Sequence, residues 1–183
     1  MLRRVFLSLS ILALTGCGQD DLTSNKYCNL RARFAYTPVT DVSQLYSSCQ
    51  SMGQWCTIIA TGNQFIFSNP QGSTSRNMTA ADTYKGFYMG LSGFIVGLPS
   101  IPELGYDYSI VTCYDLACRN CYEEDCVTKR LTLNTDGTAS CSKCNRIYNL
   151  NNQGIVAQGD AGKSLYRYRV TYSPSSNAIS INN

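Results

Sequence analysis

Two pairs of cysteines with the same internal spacing constrain the folding of this chain more than any other feature. Cys118 and Cys121 form the first CxxC pair, and Cys141 and Cys144 form the second after 19 intervening residues. Two CxxC pairs separated by about 15 to 20 residues are the usual sequence pattern of a four-thiolate metal site. Each CxxC turn directs two sulfur atoms toward one point, so the chain between the pairs is expected to fold back on itself.

The residues between the two pairs carry the signals of such a hairpin. Residues 130–133 suit a short strand, and Asn134-Thr135-Asp136-Gly137 follows them as a turn. Gly137 has no side chain to oppose the positive φ that this kind of turn needs. A second turn is predicted at residues 151–154, after a strand at 146–150. We therefore expect the four sulfur atoms to converge at the tip of a β-structure.

The rest of the chain is predicted to be all-β, because helical periodicity is poor after residue 27 and short β-branched and aromatic runs recur between turn residues. The predicted strands are residues 30–36, 55–60, 64–67, 93–96, 108–114, 130–133, 146–150, 165–172 and 178–181. In the strand at 165–172, Tyr168 and Val170 are expected to face the core, with Arg167 and Arg169 facing water. Two short helices are predicted at residues 42–50 and 80–84, and an exposed loop at 69–77.

The first 16 residues have the layout of a secretory signal peptide. Arg3 and Arg4 precede an apolar run over residues 5–14, and Leu14-Thr15-Gly16-Cys17 resembles the bacterial lipobox. In that motif the cysteine is acylated and becomes the new N-terminus, so Cys17 is the predicted lipidation residue. Residues 17–27 are then a lipidated linker, and residues 28–183 form one domain with a cysteine-rich ribbon over about residues 113–150.

The linker begins with a short acidic stretch, Gly18-Gln19-Asp20-Asp21. It resembles the export signal by which some Bacteroidetes lipoproteins reach the cell surface, and the alternative is a solvated spacer between the domain and the lipid headgroups. Either interpretation predicts an outer membrane lipoprotein on the periplasmic or cell-surface side. Its predicted partner is the membrane, through the lipid anchor.

Composition excludes several classes of function. The chain has no histidine, which excludes hydrolase triads, His-ligated zinc catalysis and any two-histidine iron–sulfur centre. Its net charge is only +3, with no basic cluster, so no nucleic-acid partner is predicted. No pair of residues suggests a general acid and base. Whether the chain is an enzyme is left open, and the sequence favours a non-catalytic role.

The nine cysteines that remain beside Cys17 allow two interpretations of the CxxC pairs. Cys118, Cys121, Cys141 and Cys144 could bind a metal ion or cluster as thiolates. The protein is predicted to lie outside the cytoplasm, where disulfides persist. The same four cysteines could therefore form disulfide bonds between the two turns instead. The carboxylates of Glu123, Glu124 and Asp125 follow the first pair and could bind a cation or a basic partner, or simply form a solvated loop tip.

The segment from Tyr114 to Asn120, together with Gly137 to Leu150 and the closing strand at 165–168, resembles a Rieske domain. The resemblance covers roughly residues 108–182, with residues 30–96 supplying the first strands. It implies an antiparallel β-sandwich of Rieske-like type with a small cysteine-rich ribbon subdomain. In that alignment Cys118 and Cys141 stand at the two cysteine ligands, while Asn120 and Cys144 stand where the family has histidines.

The missing histidines limit what the resemblance implies. Because the chain has no histidine, a cluster with two imidazole ligands is excluded. The high potential that imidazole ligation gives such a cluster is excluded with it. Cys121 would complete an all-cysteine site for zinc, mononuclear iron or a low-potential [2Fe–2S] cluster, which suggests metal binding and possible electron transfer to an unknown redox partner. A similar degenerate pattern occurs in uncharacterised Bacteroidetes lipoproteins. The alternative is a surface-binding or structural lipoprotein without a cofactor, held by disulfides, whose surface ligand is unknown.

Overall fold

The computed structural model describes residues 26–183. The predicted signal peptide, the lipidation residue Cys17 and nearly all of the linker lie outside the described residues. Among residues 26–183, no helix is both long enough and apolar enough to cross a bilayer.

Thirteen strands and three α-helices make up the described part of the chain. The first seven strands are β1 (Ala32–Tyr36), β2 (Gln54–Thr61), β3 (Gln64–Asn69), β4 (Gly72–Asn77), β5 (Tyr88–Met89), β6 (Phe94–Leu98) and β7 (Thr112–Asp115). The remaining six are β8 (Thr132–Leu133), β9 (Thr138–Ser140), β10 (Ile147–Asn149), β11 (Ile155–Gln158), β12 (Arg167–Ser173) and β13 (Ala178–Asn182). The helices are α1 (Ser43–Gln50), α2 (Ala80–Lys85) and α3 (Arg119–Asp125), with a short 3₁₀ turn at Val39–Asp41.

Nine of the strands form one antiparallel sheet in the order β4-β3-β2-β6-β7-β12-β13-β1-β5. The sheet curls so that β1 faces β3. This is shown by the rings of Phe34 and Phe65, which lie 5.1 Å apart, and by those of Tyr36 and Phe67, which lie 4.8 Å apart. The enclosed aromatic side chains form the first core, and helix α1 covers it with Leu45 and other buried residues.

A second, smaller antiparallel sheet has the order β11-β10-β9-β8 and packs on the outer face of the large one. Successive residues of a strand point to opposite faces. In β2, Cys56 therefore enters the first core while Trp55 enters the second, and in β7 Cys113 and Tyr114 divide in the same way. The central strands are thus buried on both faces, and the second core is where the cysteine-rich ribbon attaches.

The structure confirms the all-β class and the cysteine-rich ribbon. Both predicted helices are present as α1 and α2, and α2 begins with a capping box between Thr79 and Asp82. The turn at residues 134–137 joins β8 to β9, with Gly137 at φ 75°. The turn at residues 151–154 likewise joins β10 to β11. The β-structure between and after the CxxC pairs is therefore the one that the turn residues specify.

Three predictions were wrong. Residues 69–77 are not a loop, because β4 pairs with β3 over its whole length and forms a solvent-exposed edge strand. The residues after Cys118 form helix α3, which the sequence analysis missed. Arg167 does not face water: its side chain is only 7% exposed and is paired with Glu103 from the connection between β6 and β7. The pairing partner of β4 is its hairpin neighbour β3, whereas Arg167 is buried by a residue 64 positions away.

Candidate metal centre

The four cysteines of the two CxxC pairs meet at one point. Cys118 and Cys121 come from the first turn of α3, and Cys141 and Cys144 come from the tight connection between β9 and β10. Their four Sγ atoms all lie within 4.8 Å of one another. Two contacts join the pairs across the site, with Cys118 Sγ 3.7 Å from Cys144 Sγ and Cys121 Sγ 3.6 Å from Cys141 Sγ. The predicted convergence of the sulfur atoms is confirmed.

These sulfur separations match the requirements of a metal ion. Zinc–sulfur bonds are about 2.3 Å long, and a tetrahedron of that radius has edges of about 3.8 Å. A disulfide would bring two sulfur atoms to about 2.05 Å, with the bond replacing both thiol hydrogens. Within residues 26–183 all nine cysteines are free thiols. The site therefore has the ligand type, number and spacing to hold one metal ion.

The first pair is positioned by the start of a helix. Cys118 is the residue before α3, and its carbonyl oxygen accepts a hydrogen bond from the Tyr122 backbone N–H at 3.1 Å. Cys121 follows three residues later, and residues three apart lie on the same face of a helix. The helix ends at Cys126, whose backbone is left-handed with φ 55° and whose side chain is exposed. Cys126 therefore takes no part in the site.

The second pair is positioned by a turn held at both ends. The Cys141 backbone N–H donates to the Arg146 carbonyl at 2.9 Å, and the Asn145 backbone N–H donates to the Cys141 carbonyl at 2.9 Å. Asn145 has φ 56°, a left-handed conformation that asparagine tolerates better than most residues. These bonds direct the Cys141 and Cys144 side chains toward α3.

A layer of polar groups supports the Cys118 sulfur. The hydroxyl of Tyr148, in β10, lies 3.0 Å from Cys118 Sγ and accepts a hydrogen bond from the Asn120 side-chain amide at 2.9 Å. This leaves the phenol hydrogen free to donate to the sulfur. The Asn120 side-chain amide also donates a hydrogen bond to the Lys163 carbonyl oxygen and accepts one from the Lys163 backbone N–H, each at 2.9 Å. Second-layer hydrogen bonds of this kind orient metal ligands and stabilise their charged form.

Burial gives the sulfur atoms different proton affinities. Desolvation raises the pKa of the Cys118 thiol, partly offset by the Tyr148 hydrogen bond, and raises the pKa of the Cys121 thiol strongly. For Cys144 the desolvation is outweighed by hydrogen bonds from the Arg146 backbone N–H and the neighbouring thiols, which lower its pKa to about 7. A set of buried thiols resists ionisation without a cation, so a bound metal ion would supply the charge that displaces their protons.

The three carboxylates after the first pair do not form a separate cation site. Glu123 accepts hydrogen bonds from Arg119, Lys163 and Tyr166, each at 2.7 Å, and these contacts lower its pKa to about 2 despite the opposing effect of partial burial. The other two carboxylates fasten the turn of the second pair, Glu124 to Arg146 and Asp125 to Lys143. The three residues are exposed, as the solvated alternative predicts, and their ion pairs also fasten α3 to neighbouring segments.

The sequence predicted the four clustered cysteines but not the groups that support them. Asn120 was assigned only as a histidine position in the Rieske resemblance, and Tyr148 lay within its matched range without a role. A local signal for both exists, because Asn120 lies inside the first CxxC pair and Tyr148 is the first aromatic residue after the second.

Comparisons of the chain with protein-family models, curated proteins and solved structures find no match. The resemblance to Rieske domains and to Bacteroidetes lipoproteins therefore stays a prediction from the motifs. The fold and the site together define an all-β domain with a buried cluster of four cysteines suited to a metal ion.

Proposed function

We propose that the chain is a lipid-anchored domain whose four cysteines hold one structural metal ion, with zinc as the favoured metal. The observation that carries this proposal is the mutual approach of the four Sγ atoms within 4.8 Å. Four-thiolate tetrahedral sites are characteristic of zinc and of iron–sulfur centres. The ion would join helix α3 to the turn between β9 and β10.

The size of the site favours a single ion over a [2Fe–2S] cluster. In a two-iron cluster each iron takes one pair of cysteines, and the bridging sulfides hold the two pairs apart. Here all four Sγ atoms lie within 4.8 Å of one another, and separations of 3.6 and 3.7 Å run between the pairs, which leaves the two pairs unseparated. Mononuclear iron would fit the same ligands and would make the domain an electron-transfer module, so the metal has to be identified by measurement.

A structural role follows from the number and burial of the ligands. Catalytic zinc sites keep one position open for water or substrate, whereas structural sites use four protein ligands. Cys118, Cys121 and Cys141 are buried and Cys144 is only partly exposed, so four thiolates would enclose the ion. The ion would then stabilise the ribbon by joining α3 to the turn between β9 and β10.

The location of the domain is the second part of the proposal. Its support is the signal-peptide pattern and the lipobox ending at Cys17, both of which lie outside the described residues. The predicted destination is the outer membrane, on the periplasmic or cell-surface side.

Elemental analysis of the purified protein tests the metal site. We expect about one zinc per chain and no visible colour, and the variant Cys141→Ser should lose the metal. The matched control is Cys126→Ser, which removes an exposed cysteine from the end of the same helix and should keep the metal. A brown protein with visible absorption would assign iron instead. A metal-free protein whose intact mass is lower by about 2 units for each disulfide would contradict the proposal in favour of covalent bridges.

The anchor is tested independently by Cys17→Ser in the full chain. We expect the unaltered protein to fractionate with membranes and to incorporate labelled fatty acid, and the variant to do neither. A variant that remains acylated would overturn the assignment of Cys17.

A further inference from the structure

Exposed apolar side chains are concentrated in one connection of the fold. Residues 99–111 link β6 to β7 and are called here the β6–β7 loop. Within eight residues of this loop, Leu104 is 99% exposed, Tyr108 67%, Ile101 62% and Tyr106 47%. Single exposed apolar residues are ordinary on protein surfaces, but a contiguous group of them marks a surface that binds something.

The two carboxylates of the loop differ: Asp107 is exposed between Tyr106 and Tyr108, whereas Glu103 is turned toward the body of the domain. Glu103 has a side chain that is only 13% exposed, and its carboxylate pairs with both Arg167 of β12 and Lys26. These ion pairs fix the middle of the loop to the body of the domain. Leu104, Ile101 and Tyr108 are thereby left largely exposed to solvent.

The described part of the chain begins beside this loop. Besides pairing with Glu103, the Lys26 ammonium lies 5.7 Å from the centre of the Tyr106 ring. Lys26 follows Cys17 by nine positions, and a chain of that length spans at most about 30 Å. A lipid attached at Cys17 would therefore hold the β6–β7 loop close to the membrane surface.

We propose that the β6–β7 loop is the face that the domain turns toward the lipid bilayer. Leu104 and Ile101 supply apolar side chains for the boundary between headgroups and acyl chains, and Tyr106 and Tyr108 have the amphipathic rings that favour membrane interfaces. This inference rests on the lipid anchor of the proposed function and adds an orientation to it.

The test uses the lipidated chain and one introduced tryptophan at a time. Leu104→Trp places an indole on the loop, and Tyr84→Trp is the control at a side chain that is 92% exposed on α2. Helix α2 lies at the opposite end of β2 from the loop: Leu98 pairs with Gln54 at the start of β2, whereas Met78, just before α2, bonds to Asn63 beyond its end. The native Trp55 is buried, so it contributes a constant background.

The proteins are reconstituted into vesicles of phosphatidylethanolamine and phosphatidylglycerol, with and without brominated acyl chains. We expect the indole of Leu104→Trp to emit at shorter wavelength and to lose emission in the brominated vesicles, while that of Tyr84→Trp does neither. If both proteins sediment with the vesicles but neither indole is quenched, the orientation is wrong although the anchor stands.

Two other outcomes would also overturn the inference. A chain that does not bind vesicles at all lacks the Cys17 anchor, and the loop proposal fails with it. If the emission of Leu104→Trp shifts with protein concentration in the absence of lipid, the loop binds a second copy of the chain instead of a bilayer.

Discussion

At the scale of single residues, the candidate metal centre depends on a tyrosine that is not a ligand. The Tyr148 hydroxyl links Cys118 Sγ to the Asn120 amide, and the Tyr148 side chain is fully buried in the second core. A thiolate in such a place needs hydrogen bonds to offset the loss of water. The strength of metal binding should therefore respond to this side chain as well as to the four cysteines.

Tyr148→Phe removes the hydroxyl and keeps the ring. We expect the affinity for the metal to fall about 10-fold or more, because second-layer partners contribute to the orientation and charge of ligands. Competition with a chromogenic chelator measures the change. Tyr166→Phe is the control, since its hydroxyl bonds to Glu123 on α3. Equal affinities for the two variants would show that the Tyr148 hydroxyl does not support the metal.

Glu103 provides a pH-dependent contribution to stability far from the sulfur atoms. Burial opposes its ionisation, but hydrogen bonds from Arg167 and Lys26 outweigh that effect and lower its pKa below the usual value of 4.5. A carboxyl group with a lowered pKa stabilises the fold above its unfolded-state pKa, and this stabilisation is lost as pH falls through the folded-state pKa.

We expect Glu103→Gln to reduce the free energy of unfolding by about 3 kcal/mol at pH 7, because it leaves Arg167 buried without its partner charge. The difference from the unaltered protein should shrink as the pH falls below about 4.5. Urea denaturation of both proteins over a pH series measures it. A difference that stays constant down to the lowest pH would contradict this electrostatic origin.

At the scale of elements, strand β6 carries a glycine that makes room for the ring of Trp55. A Cβ atom at Gly97 would lie 2.4 Å from both a Trp55 ring carbon and the Gln54 carbonyl oxygen. Trp55 is the aromatic anchor of the second core and packs against Tyr114 with ring centres 5.8 Å apart. Gly97 therefore allows β2 and β6 to pair with each other while the Trp55 indole lies against the Gly97 backbone.

Gly97→Ala is expected to destabilise the domain by about 2 kcal/mol or more, since overpacking forces side chains and backbone to shift. Thermal unfolding followed by circular dichroism measures the effect. The control is Gly72→Ala in β4, where a Cβ would meet only the Gln44 side chain at 3.9 Å. The explanation fails if the two variants unfold at the same temperature.

At the scale of the whole molecule, two cores share the strands β2, β6 and β7. The first is enclosed by the curled nine-stranded sheet, and the second lies between that sheet and the four-stranded ribbon sheet. The cysteine cluster belongs to the second core alone. The structural contribution of a metal ion should therefore be concentrated in the ribbon, with the first core stabilised by aromatic packing.

Removal of the metal tests this division, and Trp55 reports on it. We expect a strong chelator to shift the Trp55 emission to longer wavelength and to speed amide hydrogen exchange in α3 and β8–β11. Exchange in β12 and β13 should change little. The Cys126→Ser protein should respond like the unaltered one. Uniform loss of protection over both sheets would show instead that the two cores unfold as one unit.

The sequence determined those parts of the protein that depend on neighbouring residues. The CxxC spacing and the turn residues between the pairs specified the four clustered cysteines and their convergence. Alternating side chains specified most strands, and helical spacing specified α1 and α2. These signals act over a few residues, because turn conformation and the direction of side chains are local properties of the backbone.

Tertiary structure decided the features that depend on distant partners. Tyr148 reaches Cys118 from 30 residues away, and Glu103 buries Arg167 from 64 residues away. The physical reason is that burial and hydrogen bonding between distant segments override local preference, and only the folded chain brings those segments together.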